Sequence, residues 1–133
     1  RKLLKDMGQT ATRILEMIQA QIVELSSFSH PVAQRTAERL GRALAAAQEA
    51  TESLAVSALS NPRDAFAVSV PYQELLSLLM GGWMHAILAT AVLKHESLTE
   101  DDQRRLTEAD FFGAHHLAKV HSLVETIAAG EIA

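Results

Sequence analysis

Residues 75–93 read LLSLLMGGWMHAILATAVL, nineteen consecutive positions without Asp, Glu, Lys or Arg. The polar members of this stretch are Ser77, His85 and Thr90. A helix with this composition is apolar on nearly all sides, so it needs cover from other helices or from lipid. Pro71 suits the first turn of such a helix, because the amide hydrogens of that turn have no helical partner. We predict a helix from Pro71 to about His95, followed by a turn over residues 95–99.

Lipid is the alternative cover for this helix, since about 20 apolar residues are enough to span a bilayer. His85 argues against lipid, because it would lie near the centre of the bilayer, where an ionisable side chain is costly. Gly81, Gly82 and Ala86 lower the hydropathy of the stretch. The other helices are amphipathic and need an apolar surface to pack against. We therefore predict the core helix of a soluble bundle and no membrane span.

Two amphipathic segments precede this helix and are joined by a short polar turn. From Lys2 to Leu25, apolar residues recur at steps of three or four, which is typical of one buried helical stripe. They are Leu4, Met7, Ala11, Ile14, Ile18, Ile22 and Leu25. The turn over residues 26–30 leads to Pro31. The pattern predicts that a second helix begins there, with Ser29 or His30 near its cap.

The second helix is predicted from Pro31 to Ser60, and its apolar stripe consists mainly of small residues. The stripe contains Ala33, Ala37, Leu40, Leu44, Ala47, Thr51, Leu54 and Ala58. Gly41 within this helix costs about 1 kcal/mol relative to Ala, so it either marks a close contact or is merely tolerated. Residues 61–64, Asn-Pro-Arg-Asp, predict the end of the helix. Residues 65–70 are ambiguous and could form a short helical turn.

A fourth helix is predicted after Thr99, which suits an N-cap followed by the acidic residues 100–102 in the first turn. It runs to about Ala129, and Gly130 provides a C-terminal stop. Its stripe is Leu106, Ala109, Gly113, Leu117, Val120, Val124 and Ile127. Four helices with short connections predict an all-α, antiparallel up-down four-helix bundle over residues 1–133. Because the chain starts at Arg1 rather than Met, we expect this one domain to be a fragment of a longer chain.

The composition excludes several classes of function. The chain has no cysteine and a net charge of −4, and only 5% of its residues are aromatic. These values argue against thiol chemistry, zinc-cysteine sites and nucleic-acid binding. Six histidines are present, but none has the Glu-x-x-His or His-x-x-x-His spacing of metal-binding helices. We predict no catalytic, cofactor-binding or metal-binding residue in this chain, and His85 needs a hydrogen-bond partner if it is buried.

Arg35, Arg39 and Arg42 lie at positions i, i+4 and i+7 of the second helix and form a basic stripe. The simpler interpretation is a solvated helix face, because exposed charges rarely signify more. The functional alternative is a docking surface for an acidic partner or for a ligand that carries phosphate. Both interpretations stay open at the level of sequence.

Two stretches carry a family resemblance. Residues 70–84, VPYQELLSLLMGGWM, resemble the segment Pro-Tyr-Leu-x-Leu-x-Gly-x-x-x-Gly-Gly-Trp, and residues 109–117, ADFFGAHHL, are similar to Ala-x-Phe-Phe-Ala-Glu-His-Leu-Leu. Both segments belong to the extra C-terminal domain of a branch of acyl-CoA dehydrogenases that includes methylmercaptopropionyl-CoA dehydrogenase-like enzymes. The resemblance implies that the matching positions are packing residues of an appended helical domain. They are Tyr72, Gly81, Gly82, Trp83, Phe111, Phe112 and His115.

The resemblance also implies a function for the longer protein. Its family members use FAD to introduce an α,β double bond into an acyl-CoA, with the flavin site and catalytic carboxylate in an upstream core. We therefore expect an accessory domain that packs on the catalytic core of the same chain or at an oligomer interface. The resemblance implies a cytoplasmic homo-oligomer whose substrate is an acyl-CoA. The alternative is a free-standing interaction module whose third helix binds a partner helix or a second copy.

Overall fold

The computed structural model describes residues 2–61, 63 and 67–130. Within these ranges the chain is helical and contains no strand. Its elements are α1 (Lys2–Ser26), α2 (Pro31–Ser60), α3 (Ser69–Leu93), α4 (Glu100–Phe112), a π-helical segment (Gly113–Leu117) and α5 (Lys119–Ala129). α4, the π-helical segment and α5 follow one another almost without interruption and together form the predicted fourth helix. The all-α four-helix prediction is confirmed.

The helices pack as an up-down bundle around α2 and α3. α1 contacts α2 and α3, and both α2 and α3 also contact α4 and α5. Gln21 of α1 donates a hydrogen bond to Thr90 of α3 over 2.7 Å, and Glu24 pairs with Lys94 at 2.9 Å. These two contacts place the C-terminal ends of α1 and α3 side by side, as the up-down order requires.

The predicted stripes form most of the core. The largest fully buried side chains are Ile18, Leu25, Leu40, Leu44, Leu75, Leu79, Leu106 and Val120. The small residues of α2, such as Ala33, Ala37 and Ala47, are also buried and let neighbouring helices approach closely. The prediction is wrong for Ala11, which is exposed, because the described core contacts of α1 begin only at Ile14. The side chains of the predicted stripe positions 4, 7 and 58 lie outside the described residues.

The bounds of α3 differ from the prediction at both ends. The helix begins at Ser69 rather than Pro71, because Val68 is buried and accepts a hydrogen bond from the Tyr72 amide at 3.0 Å. It ends at Leu93 rather than His95. The backbone amides of residues 94 and 95 donate hydrogen bonds to carbonyls three residues earlier, instead of the four of an α-helix. The predicted break over residues 61–64 follows the end of α2, but only 61 and 63 are described. Likewise, only 67–70 of the ambiguous residues 65–70 are described.

Local caps set several other helix ends. The His30 carbonyl and ring Nδ1 accept from the amides of Gln34 and Val32 at the start of α2. Gly130, with φ of 65°, ends α5 in a backbone conformation that L side chains rarely adopt. At α4, Thr99 and Asp102 form a capping box, and Asp102 also contacts His95 Nδ1 at 3.0 Å. The Thr99 amide and then His95 hold the pKa of Asp102 below its ordinary value by hydrogen bonding.

One of the described helices, α3, is long and apolar enough to cross a membrane, with a mean hydropathy of 1.7 over its 18-residue window. Of that window, 39% is buried against the rest of the bundle. One such helix is weak evidence for a membrane span, since the core helix of a bundle has the same length and composition. α3 also makes the contacts with α1, α2, α4 and α5 that a core helix makes.

Candidate functional site

The paired glycines of α3 lie where α3 meets the end of α4. A Cβ atom on Gly81 would lie 2.6 Å from Cζ of Phe112, and one on Gly82 would lie 2.9 Å from a methyl carbon of Leu117. The ring of Phe112 therefore rests directly on the α3 backbone at Gly81. The structure thus brings the two stretches that carry the family resemblance into direct contact. Gly41 differs, because a Cβ there would meet nothing within 4 Å.

Tyr72 lies in the first turn of the same helix, and Trp83 directly follows Gly82. The Thr51 hydroxyl donates to the Ala47 carbonyl at 2.7 Å, which uses its only hydrogen. The Tyr72 hydroxyl, 2.7 Å from Thr51 Oγ1, is therefore the donor in that pair and joins α3 to α2. Trp83 packs partly buried against the core. Its indole nitrogen is buried and has no hydrogen-bond partner within the described ranges.

Histidine and phenylalanine rings contact one another at tilted angles on the surface beside Gly81. The ring centroids of His85 and Phe112 are 4.8 Å apart, those of Phe112 and His116 5.1 Å, and those of Phe111 and His115 4.3 Å. A surface cavity of 410 Å³ lies over this cluster, with Arg104 and Glu108 also in its lining. Ring pairs at such centroid distances attract one another beyond the effect of the area that they bury.

The same cluster offers little for acid-base or metal chemistry. In the described ranges, the rings of His85, His115 and His116 contact phenylalanine rings and make no hydrogen bond. No group of three or more His, Asp or Glu side chains that could hold a metal ion occurs among the described residues. His85 is half-buried, so its ring is not sealed away from water. Its predicted need for a buried hydrogen-bond partner does not arise.

The basic stripe on α2 binds a residue of α4. Arg35 makes two hydrogen bonds of 3.0 Å to the carboxylate of Asp110. Arg39 donates to the same carboxylate at 2.7 Å and to the Asp110 carbonyl at 3.1 Å. Arg42 is 3.9 Å from Glu38 on its own helix. Two of the three arginines therefore hold α4 against α2, while a docking role for the stripe stays a prediction.

Asp110 was not among the residues that the sequence singled out. The hydrogen bond from Arg35 holds the pKa of Asp110 below its ordinary value and Arg39 adds to this, while partial burial acts in the opposite direction. The same contact raises the pKa of Arg35. No spacing pattern could have revealed Asp110, because its partners are on another helix more than 70 positions earlier in the chain.

The π-helical segment Gly113–Leu117 was also not predicted, since the sequence indicated a continuous fourth helix. It begins three residues after Asp110, whose carbonyl accepts the additional hydrogen bond from Arg39. Arg39 therefore competes with the helical amides for this carbonyl at the place where the π-helical segment begins. Gly113 gives Arg39 the room to do so, because a Cβ there would lie 3.0 Å from Arg39 Cδ. Segments of this type often occur at functional sites.

α3 presents an exposed apolar face on the side opposite its core contacts. Met80, Met84, Ile87 and Leu88 are at positions i, i+4, i+7 and i+8, and all four side chains are exposed. Phe111 of α4 is also exposed, and it lines a surface cavity together with His85 of α3. We call the four residues of α3 the outer face of α3. Together they form the clearest candidate interaction surface among the described residues, since exposed apolar residues that adjoin one another mark binding sites.

Comparison with known proteins agrees with these observations. A model of the family described as "Acetyl-CoA dehydrogenase C-terminal like" matches residues 3–133. The chain is also 38% identical over 122 residues to 3-methylmercaptopropionyl-CoA dehydrogenase of Ruegeria pomeroyi. That match covers 90% of the chain but only 21% of the relative, so the chain spans about a fifth of that enzyme's length. No solved structure matches the chain significantly.

Proposed function

The chain belongs to the acetyl-CoA dehydrogenase C-terminal like family, and we propose that it serves as the accessory helical domain of an FAD-dependent acyl-CoA dehydrogenase. In this proposal, the remainder of the protein holds the flavin and the acyl-CoA substrate. FAD supplies the hydride acceptor for oxidation of the thioester. The bundle packs on the catalytic core or at a homo-oligomer interface and is not itself catalytic.

The observation that carries the proposal is the family match across residues 3–133. The curated relative supports it, because the similar region makes up only 21% of an acyl-CoA dehydrogenase. The geometry is consistent with a packing role for Gly81, Gly82 and Phe112, whereas Phe111 and His115 are exposed. Phe112 rests on Gly81, and Leu117 and Leu40 lie within van der Waals contact of Gly82. These contacts join α2, α3 and the fourth helix at one point.

We assign no residue of this chain to FAD or to the acyl-CoA. Among the described residues, neither the aromatic cluster at Phe112 nor the Arg35–Arg39–Asp110 cluster pairs a base with a group that it could activate. A catalytic carboxylate must lie within hydrogen-bond reach of the proton it removes. In this proposal that group belongs to the core. A cytoplasmic location stays a prediction from the resemblance.

The test uses the natural protein that contains this sequence, purified with its own flavin. We expect bound flavin and oxidation of acyl-CoA thioesters with a dye as electron acceptor. A matched form without residues 1–133 should keep its flavin and change its oligomeric state or its preference for acyl chain length. A protein that binds no flavin and oxidises no acyl-CoA would overturn the proposal and leave a free-standing interaction module as the better interpretation.

A further inference from the structure

We propose that a cavity between α2 and the second half of the fourth helix binds a phosphate group through Arg39, Arg42 and His121. The phosphate is either the free inorganic ion or the phosphate monoester of a larger ligand, since both present the same oxygens to the cavity. This inference does not rest on the proposed dehydrogenase function, because it follows from the side chains around the cavity alone.

The cavity has a volume of 280 Å³ and a polar side that comes from two helices. Arg39 and Arg42 of α2 and His121 of α5 form that side. A volume of this size lies just below the range of sites for drug-sized ligands, about 300 to 1,000 Å³, so the cavity suits a small group. The rest of its lining consists of small or apolar residues, namely Gly113, Ala114, Leu117 and Ala118.

One wall of the cavity is the π-helical segment Gly113–Leu117. Gly113 lets Arg39 lie close against this wall, because a Cβ there would be 3.0 Å from Arg39 Cδ. Ala114 and Ala118 are small and exposed, so they leave the cavity open to solvent. Segments of this geometry are frequent at functional sites, which is a reason, separate from charge, to expect a ligand here.

Arg39 has donors that the bundle does not use. Both of its hydrogen bonds to Asp110 start from Nη1, at 2.7 and 3.1 Å. Nothing in the described part of the chain accepts a hydrogen bond from its Nε or Nη2. The side chain is only 25% exposed, so the bundle fixes its position before a ligand arrives. Such a guanidinium suits phosphate, because its planar fork donates two parallel hydrogen bonds to adjacent oxygens.

Arg42 and His121 can bind an anion without giving up a strong contact. Arg42 is 3.9 Å from Glu38, and the two side chains are 63% and 69% exposed. A pair of this kind contributes little to stability. His121 is exposed and makes no hydrogen bond or ion pair within the described ranges. The two side chains therefore add free donors from opposite helices.

The cavity is positive although the chain as a whole is negative. None of the described residues that line it is acidic, whereas the chain has 16 acidic and 12 basic residues. Asp110 lies between Arg35 and Arg39, so Arg35 balances its charge and leaves that of Arg39 available. A phosphate monoester carries about −1.5 to −2 charges at pH 7 and matches two arginines. A carboxylate has one charge and two oxygens, so it would leave part of this donor set unused.

The first experiment measures binding of inorganic phosphate to the natural protein that contains this sequence, by equilibrium dialysis at low ionic strength. We expect saturable binding that Arg42→Ala weakens roughly 10-fold, because it removes a charge-assisted hydrogen bond to the anion. Arg13→Ala is the matched control, since it removes the same charge from an exposed position on α1 and should leave the dissociation constant unchanged. Absence of saturable binding, or equal effects of the two variants, would overturn the proposal.

The second experiment closes the cavity without touching its arginines. Ala118→Glu places a carboxylate at the cavity wall, where it should pair with an arginine and reduce phosphate binding roughly 10-fold or more. Ala128→Glu makes the same change at another exposed position of the fourth helix and should bind phosphate as the wild-type protein does. Thermal unfolding shows that both variants are folded. Equal losses of binding would mean that overall charge, rather than this cavity, holds the anion.

The third experiment identifies the chemistry of the ligand by competition against bound phosphate. Glycerol 3-phosphate should displace it, and tighter binding than that of inorganic phosphate would assign the cavity to a phosphate monoester. Binding no tighter than that of inorganic phosphate would assign it to the free ion. Equal displacement by acetate would overturn the assignment to phosphate. None of these results depends on flavin content or acyl-CoA oxidation, so failure here is distinct from failure of the proposed function.

Discussion

The two ends of α4 are held in place by contacts of different range. At the N-terminal end, Thr99 Oγ1 accepts from the Asp102 amide at 3.1 Å, and Asp102 Oδ2 accepts from the Thr99 amide at 3.0 Å. His95 Nδ1 lies 3.0 Å from the same carboxylate oxygen. All of these partners lie within eight consecutive residues. The start of α4 therefore depends on its own sequence and hardly on the rest of the bundle.

The C-terminal end of α4 depends on other helices. Asp110 is bound by Arg35 and Arg39 of α2, and Phe112 rests on Gly81 of α3. The helix then changes to π geometry at Gly113, beside Arg39. One helix can therefore begin at a cap formed by residues adjacent in sequence and end where contacts with other helices hold it. Four predictions test the difference, beginning with the largest effect.

Phe112→Ala should destabilise the fold by about 2 to 3 kcal/mol, because it leaves a cavity over Gly81 where a partly buried ring packed. The measurement is the free energy of unfolding from urea titration. Phe111→Ala is the matched control, since the neighbouring ring is 55% exposed and its loss should cost less than about 0.5 kcal/mol. Equal losses of unfolding free energy for the two variants would contradict the conclusion that contact with α3 holds the C-terminal end of α4.

Gly81→Ala should destabilise the protein by roughly 1 to 2 kcal/mol, because the new methyl group would overlap Phe112 and force the ring to move. Gly41→Ala is the opposite case. Nothing lies within 4 Å of its added Cβ, so the gain in helix propensity should stabilise the protein by up to about 1 kcal/mol. Thermal unfolding of both variants checks the signs. If both substitutions stabilise, the ring does not rest on the backbone as described.

Thr99→Ala should cost about 1 kcal/mol, because it removes the side-chain acceptor of the capping box. Thr99→Ser keeps that oxygen and should restore most of the stability. Amide hydrogen exchange should become faster in the first turn of α4 and stay unchanged at Asp110 and Phe112. Faster exchange at the far end of α4 would show that the two ends are coupled rather than independent.

Acid should weaken the ion pairs that join Asp110, near the C-terminal end of α4, to Arg35 and Arg39 of α2. Its folded pKa is depressed, so its contribution is fully present above the unfolded value of about 3.9 and is lost as pH falls through the folded value. Unfolding midpoints in urea at about pH 7 and about pH 3 measure this loss. The Asp110→Asn variant should be less stable than the wild-type protein at neutral pH, and its stability should fall less on acidification. Asp101→Asn, at an exposed position, is the control and should keep the wild-type dependence.

Much of the fold follows from short-range patterns. The stripe of the fourth helix, the Thr99 cap and the Gly130 stop were predicted, and each rests on residues within a few positions of one another. The early start of α3 was missed because it depends on burial of Val68, which no local signal indicates. Residues 81–83 and 111–117 stand out in the sequence only through the family resemblance. Their direct contact is a finding of the structure.

The sequence by itself determined which segments are helices, most of the buried stripes of α1, α2 and the fourth helix, and several of the residues that cap the helix ends. Hydrogen-bond caps and apolar periodicity act over a few residues, so they can be read directly from the chain. Only the tertiary structure decided that Phe112 faces Gly81, that Arg35 and Arg39 converge on Asp110, and that α3 keeps one apolar face uncovered. These features depend on which helices become neighbours and on their relative rotation. Both are set by packing of the whole bundle rather than by any one segment.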